Sequence, residues 1–167
     1  MNMQTLARSY LEKAKKRLRV LEVLLEEEAY TDMAWEAQEL VESAIKGMLR
    51  HLGMDPPKWH DVGPVLADQE HLFSEGVRAE IPRLRKISKR LRKEREFAIY
   101  GDIDFIPTEE HTRDDALEAI ADARFVVATA SRAMAEALKA PERSADESGV
   151  SAPAAESLHG LQLEWAL

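Results

Sequence analysis

The 167-residue chain contains no cysteine. Disulfides, thiolate metal sites and cysteine nucleophiles are thereby excluded, and the absence suits a reducing compartment, so a cytoplasmic location is expected. Glycine and proline number only 7 each, too few for a loop-rich all-β fold. No run of about 18 apolar residues exists, so no membrane-spanning helix is expected. The opening stretch MNMQTLARSYLEKAKK alternates apolar and charged residues and has no signal-peptide core. His51, His71, His111 and His159 are scattered and match no ligand spacing, so neither a metal nor another cofactor is expected. His60 sits beside Asp61, but no serine or cysteine nucleophile adjoins them. A loop anchor, with Asp61 capping a helix, is the expectation there.

What is present is helical. Hydrophobic residues make up 45% and charged residues 32% of the chain, a globular composition. Leu6, Ala7, Tyr10, Leu11, Ala14, Leu18, Leu21 and Leu25 form one apolar stripe, predicting a helix over residues 3–28. A second stripe runs from Met33 and Ala34 through Ala37, Leu40, Val41, Ala44, Ile45, Met48, Leu49 and Leu52. Thr31 or Asp32 is its expected N-cap, and Gly53 its C′ residue. Pro56-Pro57 marks a loop, followed by a short helix capped by Asp61. A long helix is expected over 77–98, with Ile81, Leu84, Ile87 and Leu91 inward and Pro82 implying a later start or a kink. The last long helix is expected from Thr108 to Leu138, ended by Pro141. The expected fold is all-α: an antiparallel up-and-down bundle of four to five helices over residues 1–140. Residues 141–167 lack periodicity and are expected to form a flexible acidic tail ending in the apolar segment LHGLQLEWAL.

The net charge is −8, which argues against a protein that coats nucleic acid indiscriminately. Yet nine cations lie between Arg78 and Arg95, opposed within that stretch only by Glu80 and Glu94. Either this is a solvated face paired with acidic neighbours, or it is a stripe that follows phosphates. Arg83, Lys86, Arg90, Arg92, Lys93 and Arg95 are the candidate anion-binding residues. No aromatic residue interleaves them, which disfavours a base-stacking platform. At the helix end, Arg95 and Tyr100 fall about 1.4 turns apart, within reach of one site. On residue types alone the pair is equally a packed tyrosine with an arginine satisfying carbonyls.

Several patterns in order resemble the HEPN family (higher eukaryotes and prokaryotes nucleotide-binding). They are Ala37 to Lys46 in the second helix, Gly53 through Pro56-Pro57 to Trp59-His60-Asp61-Val62, and Arg95-Glu96-Phe97-Ala98-Ile99-Tyr100-Gly101-Asp102. Thr108-Glu109-Glu110, opening the last helix, completes the series. The resemblance covers roughly residues 3–138. It implies a helical bundle that is often a homodimer, with the Arg95 ends of two protomers meeting in a shared cleft. It further implies RNA or nucleotide binding and partnership with a small nucleotidyltransferase, as in toxin–antitoxin pairs. Many members are metal-independent RNases in which an Arg binds the scissile phosphate and a His assists the 2′-hydroxyl. Here Arg95 fits the Arg, but Tyr100 stands where the His belongs, and no His lies between Arg95 and His111. A phenol of ordinary pKa near 10 is a poor base at neutral pH. The expectation is therefore a binding module with the catalytic His missing. Its alternatives are an RNase using Arg95 with Tyr100 or Asp102, or a helical adaptor.

Overall fold

A computed structural model describes residues 2–59, 61–100 and 111–136, without the side chains of residues 97–100. Four long helices dominate: α1 (Met3–Glu26), α2 (Tyr30–His51), α5 (Ile81–Tyr100) and α6 (Arg113–Ala135). Between α2 and α5 lie α3 (Gly63–Asp68), a 3₁₀ turn (Glu70–Leu72) and the single-turn α4 (Glu75–Arg78). No strand occurs among the described residues. The all-α bundle read from the apolar stripes is the fold.

Cross-helix bonds fix the directions. The side-chain amide of Gln4 donates to the His51 carbonyl at 3.0 Å, and Arg17 meets Glu36 at 2.5 Å, so α1 and α2 are antiparallel. Arg95, near the end of α5, donates to Gln38 in the first half of α2 at 3.1 Å, which makes that pair antiparallel too. Glu80 pairs with Arg132 while Arg90 pairs with Asp122 at 2.8 Å, so α5 and α6 also run oppositely. The chain therefore goes up, down, up, down. α2 is the central helix, packed on α1, α5 and α6. Gly47 permits its close approach to α1: a Cβ there would stand 3.3 Å from the Ala7 carbonyl oxygen and from Tyr10 Cβ.

The expected stripes supply the core. Leu21, Met33, Leu40, Ile45, Met48, Leu49, Ile81, Leu84 and Leu91 are fully buried, each stabilising the fold by roughly 1.5–3 kcal/mol relative to exposure. Phe73, after the 3₁₀ turn, closes the bundle from the connecting segment at 1% exposure.

Helix ends differ from expectation in five places, each for a local reason. α1 stops at Glu26, because Glu28 turns into the left-handed region (φ 56°) and its following amide bonds back to Leu24. α2 begins at Tyr30 with Ala29 at the N-cap and no side-chain cap, so neither Thr31 nor Asp32 caps it. α3 is capped by Val62, not Asp61, whose carboxylate instead lies 3.6 Å from Arg92. The expected 77–98 helix is two: Ser74 caps α4, and α5 restarts at Ile81 with Pro82 in its first turn, where a missing N–H costs nothing. Finally, α6 starts at Arg113 rather than at Thr108. Thr112 forms a reciprocal capping box with Asp115, and its hydroxyl and amide hold the Asp115 carboxyl below the usual range. Gly53 does take the C′ role (φ 83°), with Met54 N–H bonded to Leu49 and Gly53 N–H to Arg50. Thr108, His60, Asp102, Leu138 and the whole 141–167 segment lie outside the described residues.

Candidate anion-binding site

α5 buries Ile81, Leu84, Ile87, Ser88 and Leu91 on one face, and the helical turn distributes its cations over the remaining arc. Three groups result.

The first group faces α6. Arg90 meets Asp122 at 2.8 Å, Glu94 at 2.5 Å and Glu118 at 3.6 Å. Burial works against charge on this guanidinium, but its hydrogen bond to Asp122 and the nearby Glu94 outweigh that, holding its pKa above the ordinary value. Arg83 lies 3.5 Å from Asp122 and stacks over the Phe125 ring, its guanidinium carbon 3.8 Å from the centroid. α6 thus neutralises both cations.

The second group is Arg95 alone, which faces α2. Its side chain is 15% exposed; it donates to Gln38 Oε1 at 3.1 Å, lies 3.5 Å from Glu39, and stands 4.4 Å over the Trp35 ring. Gln38 is buried, and its amide nitrogen donates to Glu42 at 3.0 Å. Lys46 donates to the other Glu42 oxygen at 2.6 Å. The guanidinium on one side and the carboxylate on the other orient the Gln38 amide, oxygen toward Arg95 and nitrogen toward Glu42. The bonds from Gln38 and Lys46 to its two oxygens make buried Glu42 tolerable.

The third group is different. Arg85, Lys86, Lys89 and Arg92 line a cleft of about 440 Å³ between α5 and the start of α3, with Asp61, Gly63, Pro64 and Pro82. Against four cations stands one carboxylate, Asp61, at 3.6 Å from Arg92. Arg85, Lys86 and Lys89 make no ion pair with the described residues. A concave, cation-rich cleft with rigid proline walls suits a phosphate or other oxyanion, held by charge-assisted hydrogen bonds.

Of the six anion-binding candidates read from the sequence, the structure places Lys86 and Arg92 in this cleft. Arg83 and Arg90 turn to α6, Arg95 to α2, and Lys93 is exposed outside the lining. Arg85, Lys89 and Asp61, which are not among those six, line the cleft as well. Helical phase was the available signal: Arg85, Lys89 and Arg92 stand at i, i+4 and i+7, off the apolar face. The Arg95–Tyr100–Asp102 triad is present only through Arg95; the Tyr100 side chain and all of Asp102 lie outside the described residues. Among the described residues no cluster of three or more His, Cys, Asp or Glu could hold a metal, and no helix is long and apolar enough to cross a membrane.

The family model of the HEPN domain matches residues 7–133, from within α1 to near the end of α6. The chain belongs to the HEPN family. Among solved structures, it is similar to TT1696 from Thermus thermophilus, at 25% identity and a TM-score of 0.62, over 79% of this chain and 98% of that one. It also shares its fold with ST0689, an archaeal HEPN homologue, at 18% identity and a TM-score of 0.60, over 77% of this chain and 97% of the other. No curated protein matches the chain. Within this HEPN fold, Arg95 belongs to the α2 network, and the open cationic cleft lies elsewhere on the same helix.

Proposed function

We propose that this HEPN protein is an RNA- or nucleotide-binding module, a homodimer paired with a small nucleotidyltransferase, and not a nuclease. The observation that carries the binding reading is the α3–α5 cleft. In an acidic protein, Arg85, Lys86, Lys89 and Arg92 gather on one surface with a single opposing carboxylate. Arg83, Arg90 and Arg95 on the same helix are, by contrast, matched by carboxylates of α6 or α2.

Catalysis is disfavoured because Tyr100 replaces the histidine of the family's nuclease motif, and a phenol does not take a proton readily at neutral pH. The nucleotidyltransferase partnership rests on the family resemblance; co-expression with such a protein encoded next to this one, followed by affinity capture, tests it. Binding is tested by titrating labelled single-stranded RNA and a ribonucleotide. Wild type binds, and Lys86→Glu with Lys89→Glu weakens binding at least tenfold. Equal binding by wild type and this double variant would overturn the assignment.

A further inference from the structure

The loop that leads into α3 is held at both ends. Arg50 meets Asp55 at 2.8 Å, and Pro56 is buried with its φ fixed by its ring. At the other end Asp61 lies 3.6 Å from Arg92, and Val62 is fully buried. Between these anchors stands Trp59, 64% exposed, the most exposed large apolar side chain among the described residues. Other rings on this surface are covered by cations. Trp35 lies under the Arg95 guanidinium at 4.4 Å, and Phe125 under that of Arg83 at 3.8 Å. Among the described residues no cation and no ring rests on Trp59.

The place of this open ring gives it a use. Asp61, two residues further on, lines the cleft that holds Arg85, Lys86, Lys89 and Arg92. Two residues of chain span at most about 7 Å, the scale on which a nucleobase stands from its own phosphate. The basic stretch of α5 from Arg78 to Arg95 contains no aromatic residue, so the helix alone offers charge without a stacking surface. The loop beside it supplies the missing ring. We infer that Trp59 is the base-stacking residue of the α3–α5 cleft. The site then takes an unpaired nucleotide, with its phosphate among the cleft cations and its base on the indole. The inference rests on the binding reading above and adds the residue that separates an unpaired base from a duplex or a bare phosphate. A base within a duplex is already stacked on its neighbours, whereas single-stranded RNA and a free ribonucleotide can offer a face. Every base has such a face, so Trp59 selects unpaired over paired nucleotides and not one sequence over another.

Three probes test it on the full chain: a labelled single-stranded RNA, the same RNA annealed to its complement, and inorganic tripolyphosphate. Trp59→Ala weakens binding of the single strand about tenfold, as loss of one base–aromatic stack does, and Trp59→Phe restores most of it. The duplex and tripolyphosphate bind wild type and Trp59→Ala alike, since neither offers an unpaired base, and Lys86→Glu with Lys89→Glu weakens both. The single strand also quenches the tryptophan emission of wild type, and Trp59→Phe removes that quenching although Trp35 and Trp165 remain. Equal binding of the single strand by wild type and Trp59→Ala, with the lysine variant still weakened, overturns the stacking role and leaves the cleft standing. A loss of tripolyphosphate binding in Trp59→Ala as large as the loss for RNA makes Trp59 a prop of the loop and likewise overturns the stacking role. Equal RNA binding by wild type and both variants overturns the inference and the binding reading together.

Discussion

Arg90 and Asp122 are joined at 2.8 Å across the space between α5 and α6, where the two backbones make little direct contact. Long arginine side chains bridge that space: Arg90 and Arg83 reach to α6, and Arg132 reaches back to Glu80, which also accepts from Thr129 at 2.6 Å. The basic helix is therefore partly a structural clamp. Asp122 is only 13% exposed. Asp122→Ala is expected to destabilise the fold by roughly 1–2 kcal/mol, because it removes the carboxylate shared by Arg83 and Arg90, while Arg90 keeps Glu94 and Glu118. Chemical denaturation measures this, and a loss below about 0.5 kcal/mol, the range of ordinary surface changes, would contradict the clamp.

Glu28 ends α1 in the left-handed conformation, φ 56°, where a glycine would normally stand. The site combines a Cβ penalty with a negative charge at the negative end of the helix dipole. Glu28→Gly is expected to stabilise the protein by about 1 kcal/mol despite the greater freedom it gives the unfolded chain. Urea titration at constant slope reads the gain; a loss of stability would contradict it.

His51 is expected to make folding sensitive to mild acid. Burial pushes its pKa down, opposed in part by the Glu136 backbone. Its Nδ1 and the Gln4 side-chain oxygen are 2.9 Å apart, and because Gln4 donates its amide to the His51 carbonyl, Nδ1 carries the proton. The folded state binds a proton less readily than the unfolded chain, whose histidine titrates near about 6.5. Stability is therefore fully present above that pH and declines as pH falls below it toward the depressed folded value. His51→Asn keeps a donor toward Gln4 and removes the titration. Melting curves at pH 7 and pH 5 should diverge less for the variant than for wild type.

Arg95 is locked by Gln38, Glu39 and Trp35, and in the proposed reading Tyr100 stands where the family's nucleases have a histidine. Wild-type protein is accordingly expected to cut RNA at background rates without metal, and Tyr100→His is the single change expected to raise that rate. Gel assays of labelled RNA decide this. Robust wild-type cleavage abolished by Tyr100→Phe would reverse the reading.

The apolar stripes made the fold legible: Leu40, Ile45, Met48, Leu84 and Leu91 are buried where a 3.6-residue period puts them. Helix ends were less legible, since Thr31 and Asp61 are competent caps yet Ala29 and Val62 occupy those N-cap positions, and α6 is capped by Thr112. The charge cluster was visible as a cluster but not as three separate faces. The i,i+4 pair of Arg90 with Glu94 is readable locally, but the bond from Arg90 to Asp122, 32 residues away, is supplied by no local pattern. Nor does a sequence show that Gln38 and Glu42, polar residues on an apolar helix, are buried because Arg95 and Lys46 reach them.

The central claim is that the cleft cations, and not the clamp cations, bind phosphate. Its most direct test is the salt dependence of single-stranded RNA binding by wild type, by Lys86→Gln with Lys89→Gln, and by Arg83→Gln. Each phosphate contact contributes about −0.7 to the slope of log K against log salt for a single strand. The cleft variant is predicted to flatten the slope by about 1.4 and to weaken binding, while Arg83→Gln leaves the slope at the wild-type value. An unchanged slope in the cleft variant, or a loss in Arg83→Gln equal to it, would contradict the account.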